Sequence, residues 1–267
     1  MKFAVYQASR IGGRKYNQDR VAYAYSDKAL LLVLADGMGG HLHGETAAQI
    51  AVNTFMQAFV QAAQPRVSDP EEFLREVTRR AHETIIQYAH ARKLGGNPGT
   101  TCVAALVQEG EACWAHAGDS RCYLLRSGAA VAVTRDHSAV QQWADWGIIK
   151  PEEMKTHPDR NKITNCLGGV EDMFYVESAP AVPLRHGDVL LLCSDGLWGP
   201  LPDAEIKGAF STAPLAVLDQ LMDKALLLGG KHQDNTTAVV ARWGDVEDEH
   251  PAPSPVCVVL EVEQPVS

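Results

Sequence analysis

The sequence predicts an α+β fold in which antiparallel sheets are covered by pairs of helices. Three observations indicate this class: short apolar strand-like runs recur along the chain, turn residues separate them, and amphipathic helices occur in two blocks. The chain has 267 residues, 46% of them hydrophobic. A chain of this size can bury a sizeable core without disulfides.

The strand-like runs are short and apolar, and Gly-containing turns separate several of them. They are Phe3–Ala8, Leu30–Ala35, Cys102–Val107, Ala112–Ala117, Cys122–Leu125, Val189–Cys193 and Thr236–Trp243. The runs between Thr101 and Arg126 follow one another across tight turns at Glu109-Gly110 and further on. We therefore predict consecutive antiparallel strands in this part of the chain.

Two long helices are predicted between the first strands. The first covers about Glu45–Ala62 and has alanines and Phe55 on one face. The second begins with the cap Asp69, a first-turn Pro70 and Glu72. Its apolar stripe, with one residue in every four, consists of Phe73, Val77, Ala81 and Ile85. A second helical block near the end comprises Asp203–Phe210 and Pro214–Leu228.

Two segments do not fit the sheet pattern. Residues 136–165 are polar, and we interpret them as an inserted flap whose Trp143 and Trp146 pack it onto the domain. Residues 245–267 are acidic and proline-rich, which is typical of a disordered tail. The apolar stretch Val256–Leu260 within that tail could dock on another surface. The main domain is therefore expected to cover residues 1–244.

Charge and composition exclude several kinds of partner. The net charge is −9 and no cluster of five basic residues occurs, which argues against nucleic acid or an anionic membrane. The start of the chain lacks a secretory pattern, and no apolar run is long enough to span a bilayer. The six cysteines are scattered without a C-x-x-C pair. We expect a cytoplasmic, reduced and monomeric protein.

Aspartates stand where the predicted strands begin or end. Asp36-Gly37 and Asp195-Gly196 follow apolar runs directly, Asp119 follows another, and single aspartates precede two further strands. These two are Asp19 and Asp234. One Asp-Gly after a strand is most often only a turn. Five carboxylates at the margins of five strands, however, can converge on one sheet edge.

Clustered carboxylates repel one another and raise each other's pKa unless cations neutralise them. A set of oxygen ligands without a His or Cys cluster suits hard ions such as Mg²⁺ or Mn²⁺. Bound cations would also reverse the local negative field, so that an acidic protein could still attract a phosphorylated substrate. The pattern therefore predicts a metal centre that acts on an anion.

Seven motifs in order resemble the type 2C-like (PPM) family of metal-dependent serine/threonine protein phosphatases, in its compact bacterial form. They are R-x-x-N-Q-D (14–19), D-G-M-G-G-H-x-x-G-E (36–45), G-T-T (99–101), A-G-D-S-R (117–121), T-R-D-H-S (134–138), C-S-D-G-L-W (193–198) and D-N-T-T (234–237). Each motif alone is weak, but seven in the family's order, over about residues 10–242, are specific. The resemblance implies a four-layer α-β-β-α sandwich of two antiparallel sheets.

The resemblance also implies roles for single residues. Asp36 would bridge two cations, and the Gly37 carbonyl would ligate one of them. Asp195 and Asp234 would complete the ligands. Asp19 would accept a hydrogen bond from a metal-bound water, and Arg14 would bind the phosphate. Asp119, together with Asp195, would hold a third, weaker cation.

The implied reaction is direct hydrolysis of phosphoserine or phosphothreonine by a water activated between two Mg²⁺ or Mn²⁺ ions, with a third ion as an option. No covalent enzyme intermediate is needed. The expected partners are phosphorylated proteins and a cognate Ser/Thr kinase or its targets.

Three positions depart from the family pattern. Met38 stands where some members carry a histidine, Gln18 where glutamate is frequent, and Asn165 where arginine is frequent. His41 lies near Met38, but we assign it and His43 to surface or capping roles. The change at Met38 bears on which residue could act as general acid, and the change at Asn165 bears on the flap side of the site. All the carboxylates assigned to the metal centre are present.

Other phosphatase chemistries lack their motifs. No cysteine has an arginine six residues later, and neither a D-x-D, a Walker loop nor a G-x-S-x-G elbow occurs. Ser120 and Ser194, beside aspartates, are interpreted as hydrogen-bonding residues at strand ends. The rival hypotheses are a pseudophosphatase that binds phosphoproteins as a regulatory module, and a hydrolase of small phosphoesters on the same fold.

Overall fold

The computed structural model describes residues 1–38, 43–169, 173–211 and 215–244, together with the strand Val256–Val259. Its strands are β1 (Phe3–Arg10), β2 (Asp19–Tyr25), β3 (Ala29–Asp36), β4 (Cys102–Gln108), β5 (Glu111–Ala117), β6 (Arg121–Arg126), β7 (Ala129–Val133), β8 (Glu177–Pro183), β9 (Val189–Cys193), β10 (Thr236–Trp243) and β11 (Val256–Val259). Its α-helices are α1 (Gly44–Ala62), α2 (Pro70–Ala91), α3 (Ala139–Asp145), α4 (Asp195–Trp198), α5 (Asp203–Ala209) and α6 (Val217–Gly229).

Within these residues, the strands form two antiparallel sheets. One has five strands in the order β1-β10-β9-β6-β7, and the other has six in the order β11-β2-β3-β4-β5-β8. β4 and β5 pair across the turn at Glu109-Gly110, as the Thr101–Arg126 pattern predicts. The prediction is wrong for β6, which does not pair with β5 but crosses to the other sheet and pairs with β7 and β9. The predicted α+β class is confirmed.

The two sheets face each other across a shared core, and helices cover both outer faces. Along β3, Leu30, Leu32 and Leu34 belong to the core between the sheets. Leu31 and Val33 alternate with them and pack in the layer of α1 and α2. A third core lies between the five-stranded sheet and α4, α5 and α6. This is the four-layer α-β-β-α sandwich, and it explains why the central strands are apolar on both faces.

The first helix pair follows its sequence pattern closely. The Asp69 carboxylate accepts a hydrogen bond from the Glu72 amide over 3.0 Å, and Pro70 occupies the first turn. Val77, Ala81 and Ile85 are buried in the core beneath α2. Capping thus fixes where α2 starts, and its four-residue stripe fixes which face turns inward.

The flap contains α3 and a 3₁₀ helix over Pro151–Thr156. Trp143 packs edge-on against His157, with ring centres 5.1 Å apart, so it contributes to the flap's own packing. Trp146 is 69% exposed. The expectation that Trp146 packs the flap onto the domain is therefore wrong, because this side chain lies at the solvent side just after α3 ends.

Strand β11 lies in the segment for which we expected a disordered tail. Its four residues pair antiparallel with β2, Val256 opposite Tyr25 and Val259 opposite Ala22. The expectation does not hold for this strand, because β2 offers it an edge. The remainder of 245–267 and His41 lie outside the described residues. Among the described helices, none has both the length and the apolar character to cross a membrane.

Candidate metal centre

A cleft of about 650 Å³ opens at the end of the sandwich where the aspartate-bearing strand ends meet. Asp36 comes from the last position of β3 in the six-stranded sheet, and Asp195 follows β9 in the five-stranded sheet. The other charged residues that line the cleft are Arg14, Asp119 and Asp234. The two sheets thus each contribute carboxylates to one site.

The Gly99–Thr101 segment holds the main chain of Asp36. The Thr101 amide donates to the Asp36 carbonyl over 2.8 Å, and the Thr101 hydroxyl accepts from the Asp36 amide over 3.1 Å. The Thr100 hydroxyl also donates to the Asp36 carbonyl, over 2.9 Å. At Gly37, any Cβ would lie 2.5 Å from the Gly44 carbonyl group, so only glycine fits there. Asp36 and Gly37 are therefore fixed by neighbouring backbone.

Asp19 lies beneath the cleft and directly opposite Asp36 in the β2–β3 register. It is fully buried, and one of its oxygens, Oδ2, accepts a 2.9 Å hydrogen bond from the Ser194 hydroxyl. The Ser194 hydroxyl in turn accepts the Thr237 amide over 3.0 Å. Ser194 acts here as a hydrogen-bonding residue that joins the two sheets behind the site.

Arg14 and Asp234 form an ion pair at the cleft. The Arg14 Nη2 donates to Asp234 Oδ2, and the Asn235 amide donates to Asp234 Oδ1 over 2.8 Å. The Arg14 side chain remains 50% exposed. Its guanidinium therefore has donors left for a second anion in the cleft.

Three carboxylate oxygens of the cluster are buried without a donor. Among the described residues, Oδ1 of Asp19, Asp119 and Asp195 accepts no hydrogen bond. Burial raises the pKa of Asp19 to about 6 and that of Asp119 to about 7. Loss of hydration, together with neighbouring carboxylates, raises the pKa of Asp36 and Asp195 well above the ordinary range.

Such an arrangement fits divalent cations. Buried carboxylate oxygens that lack donors need either a proton or a positive ion, and several of them together with a backbone carbonyl form the all-oxygen donor set of Mg²⁺ or Mn²⁺. Cations would also remove the repulsion that raises these pKa values. The chemistry of the donors therefore agrees with a metal centre at this place.

Asp119 connects the cleft to the flap. The Trp198 indole donates to the Asp119 carbonyl over 3.0 Å, and the Arg121 guanidinium stacks 3.7 Å from the Trp198 ring centre. Arg121 forms two 2.8 Å hydrogen bonds with both oxygens of Asp136, where the flap begins. Trp198 and Arg121 thus support both the backbone at Asp119 and Asp136, the first residue of the flap.

A second group of potential ligands, His116, His137 and Glu177, lies at the base of the flap. The Gly118 amide faces His137 Nδ1 at 3.2 Å, so this nitrogen is an acceptor. Burial lowers the pKa of His137, and the neutral ring then carries its proton on Nε2, 3.1 Å from Glu177 Oε2. Nε2 therefore donates to Glu177, and the trio anchors the base of the flap.

The structure brings together all the residues singled out from the sequence: Arg14, Asp19, Asp36, Gly37, Asp119, Asp195 and Asp234. Thr100, Thr101, Trp198 and His137 support these residues from behind, and the sequence alone did not point to such roles for them. Each lies within one of the seven motifs, so motif membership was the available signal. Their buried partners, however, are distant in sequence.

Comparisons with known proteins agree with this geometry. The family model described as "Protein phosphatase 2C" matches residues 6–226. The serine/threonine phosphatase stp of Listeria innocua is 32% identical over 231 residues, covering 85% of this chain and 90% of that protein. PstP of Mycobacterium tuberculosis is 38% identical over the same share of this chain, which spans 42% of PstP.

Solved structures show the same fold. A serine/threonine phosphatase of S. agalactiae superposes with a TM-score of 0.81 at 27% identity, over 90% of this chain and 99% of that one. The catalytic domain of PstP, solved in complex with two manganese ions, gives a TM-score of 0.73 at 33% identity, over 90% and 97%.

Fold and site together define a metal-dependent phosphatase. The chain belongs to the protein phosphatase 2C family. It is a serine/threonine protein phosphatase of the bacterial type.

Proposed function

We propose that this phosphatase hydrolyses phosphoserine and phosphothreonine with two divalent cations held by Asp36, the Gly37 carbonyl, Asp195 and Asp234. The observation that supports this most strongly is the convergence of five carboxylates, four that line the cleft and Asp19 opposite Asp36. Three of the five have a buried oxygen without a donor among the described residues. When bound, the cations supply an activated water between them and neutralise charge on the phosphate.

The protein's own residues orient the reactants. Arg14 stands at the cleft with free donors, and its planar fork matches the phosphate oxygens. Asp19 lies opposite Asp36 with its Oδ1 unengaged by any described donor, so it can accept a hydrogen bond from a metal-bound water. Ser194 fixes the orientation of Asp19 through its other oxygen.

Asp119 is proposed as a ligand of a third, weaker cation together with Asp195. Support comes from its place in the cleft lining and from its buried, donor-free Oδ1 among the described residues. Its backbone shares the Trp198–Arg121–Asp136 support with the flap. A cation there would therefore lie where the flap meets the two-metal centre.

The cleft is open, and its flap side carries neutral residues such as Asn161, Thr164 and Asn165. We assign phosphorylated proteins as substrates and a Ser/Thr kinase as the opposing enzyme. We place the catalytic unit at residues 1–244 and treat it as a monomer. Cys102, Cys113, Cys122, Cys166 and Cys193 are unpaired, in keeping with a reducing, cytoplasmic compartment.

The test is phosphate release from a phosphothreonine peptide with Mn²⁺, with Mg²⁺ and with excess chelator. We expect release with either metal, none with chelator, and recovery when metal is restored. A folded protein that releases no phosphate with any metal would favour the pseudophosphatase hypothesis. Comparable rates on para-nitrophenyl phosphate and phosphoprotein would favour a small-ester hydrolase.

A further inference from the structure

The loop between β1 and β2, residues 11–18, carries Arg14 into the cleft. It is glycine-rich at Gly12 and Gly13, where any Cβ would lie 2.4 Å from the carbonyl oxygens of Asp234 and Lys231. The loop therefore lies flat against the segment that precedes β10. The Arg14 side chain is half exposed and is paired with Asp234, so its direction depends on that ion pair and on how firmly this loop is held.

The Asn235 side chain binds the loop backbone at three points. Its Nδ2 donates to the Ile11 carbonyl over 2.8 Å and to the Tyr16 carbonyl over 3.0 Å. Its Oδ1 accepts from the Gln18 amide over 2.9 Å. Asn235 is 5% exposed, so these bonds are shielded from water.

The three partners define the chemistry that position 235 requires. Two loop carbonyls need donors and one loop amide needs an acceptor, and an amide group supplies both from one short side chain. An aspartate at position 235 would offer no hydrogen-bond donor to the two carbonyls. An alanine there would leave the two carbonyls and the amide unpaired. Asparagine is therefore matched to the loop on both sides of Arg14.

We propose that Asn235 is a positioning residue for phosphate recognition. It binds the loop before Arg14, at Ile11, and after it, at Tyr16 and Gln18, and so holds the Arg14 guanidinium toward the cleft. This inference rests on the proposed role of Arg14 in binding phosphate. Asn235 itself does not line the cleft within the described residues.

The test is a double-mutant cycle with Asn235→Ala and Arg14→Ala, read by inhibition with inorganic phosphate and by the KM of a phosphothreonine peptide. We expect Asn235→Ala alone to weaken phosphate inhibition and raise KM by about 10-fold, the lower end of losses from removing a supporting hydrogen-bond partner. In the Arg14→Ala background the same change should alter both constants less than about twofold, because coupled residues are non-additive. The Mn²⁺ concentration for half-maximal activity should stay unchanged.

A matched control is Gln108→Ala. Gln108 is also a buried amide that binds loop backbone, at the Val67 amide and carbonyl, and it lies outside the lining of the cleft. It should lower stability to a similar degree and leave phosphate inhibition unchanged. If Asn235→Ala does not fold, Asn235→Ser, which keeps one donor, serves in the same cycle and should give a smaller shift.

Equal shifts in both backgrounds, or no shift in the wild-type background, would overturn the inference. A shift in Mn²⁺ dependence in place of phosphate inhibition would also overturn it. Failure of the proposed function would look different: the wild-type protein would then release no phosphate with any metal, and the inference would fall with it.

Discussion

The carboxylate cluster and the flap lie beside each other, yet they are held in different ways. The cluster residues stand at the ends of buried strands, where main-chain bonds such as that from the Thr101 amide to the Asp36 carbonyl leave little freedom. The flap is attached at its base chiefly by side chains, Arg121 to Asp136 and Asn165 to the Tyr175 carbonyl, together with a main-chain bond from the His137 amide to the Gly118 carbonyl. Its outer part is exposed, Trp146 most clearly.

The difference suggests a division of tasks. A site that hydrolyses any phosphoserine or phosphothreonine needs fixed charges, and strand ends supply them. Contacts with varied protein substrates tolerate a surface that can adjust, and loops supply it. We therefore expect changes in the cluster to abolish chemistry while the fold is kept, and changes at the flap base to act first on stability.

The largest effect is expected for Asp36→Asn and Asp234→Asn. Each removes a negative charge from the proposed metal centre at nearly constant volume, and we expect phosphate release to fall about 10³-fold, the upper range for loss of one preorganised charged group. The measurement is turnover of a phosphothreonine peptide at saturating Mn²⁺.

Circular dichroism and thermal unfolding provide the control for these variants. The fold should persist, because removing one of several repelling carboxylates relieves repulsion. Full activity in either variant would contradict the two-metal assignment.

At the flap base, Arg121→Ala should lower the free energy of unfolding by about 3 kcal/mol, because it leaves the buried Asp136 carboxylate unpaired. The Arg121 and Asp136 side chains are 15% and 4% exposed. Urea unfolding measures the change.

Arg66→Ala is the matched control for an exposed ion pair. Arg66 and Glu109 are 62% and 60% exposed, so the loss should stay below about 1 kcal/mol. If both substitutions lowered the free energy of unfolding equally, burial of the Arg121–Asp136 pair would not explain its contribution to stability.

Without metal, stability should fall as pH rises from 5 to 8. In the folded protein Asp19 and Asp119 keep their protons up to a pKa of about 6 and about 7, whereas unfolded carboxyls lose theirs near pH 4. The folded state thus binds more protons in this window, so raising the pH favours unfolding by about 2 kcal/mol or more.

Added Mn²⁺ should reverse this trend, since cations replace the protons. The gain in Tm from Mn²⁺ should therefore be larger at pH 8 than at pH 5. A gain independent of pH would argue that the cation binds away from these carboxylates.

The smallest effect is expected from thiol alkylation under native conditions. Burial raises the pKa of Cys102 and Cys113 to about 12, and that of Cys166, which lines the cleft, to about 11. None of these thiols is nucleophilic at neutral pH. Iodoacetamide should leave turnover unchanged, and rapid inactivation of a folded enzyme would assign chemistry to a cysteine.

The sequence predicted the buried central strands and their aspartates, but it did not predict the more exposed edge strands. Strands buried on both faces, such as β3 and β9, are continuous apolar runs, and their terminal aspartates were correctly gathered into one site. The edge strands β7 and β8 were missed, because β7 alternates exposed and half-buried residues and β8 contains Pro180 and Pro183. Neither strand contains a fully buried residue, and the prolines of β8 are tolerated because it lies at the edge of its sheet.

The supporting contacts were beyond sequence reasoning for a different reason. Trp198 reaches the Asp119 carbonyl, and Asn235 reaches Ile11, across long separations in sequence. Such bonds depend on how the two sheets pack and leave no periodic pattern. The motifs marked these residues as members of the site without indicating what each one touches.

The most direct test of the central claim is an anomalous difference map from crystals soaked in Mn²⁺. We expect two strong peaks in the cleft, with Asp36 beside both and Asp195 and Asp234 among their ligands. A third, weaker peak at Asp119 would support the additional cation. Strong peaks at the His116–His137–Glu177 group, with none at Asp36, would contradict the two-metal assignment.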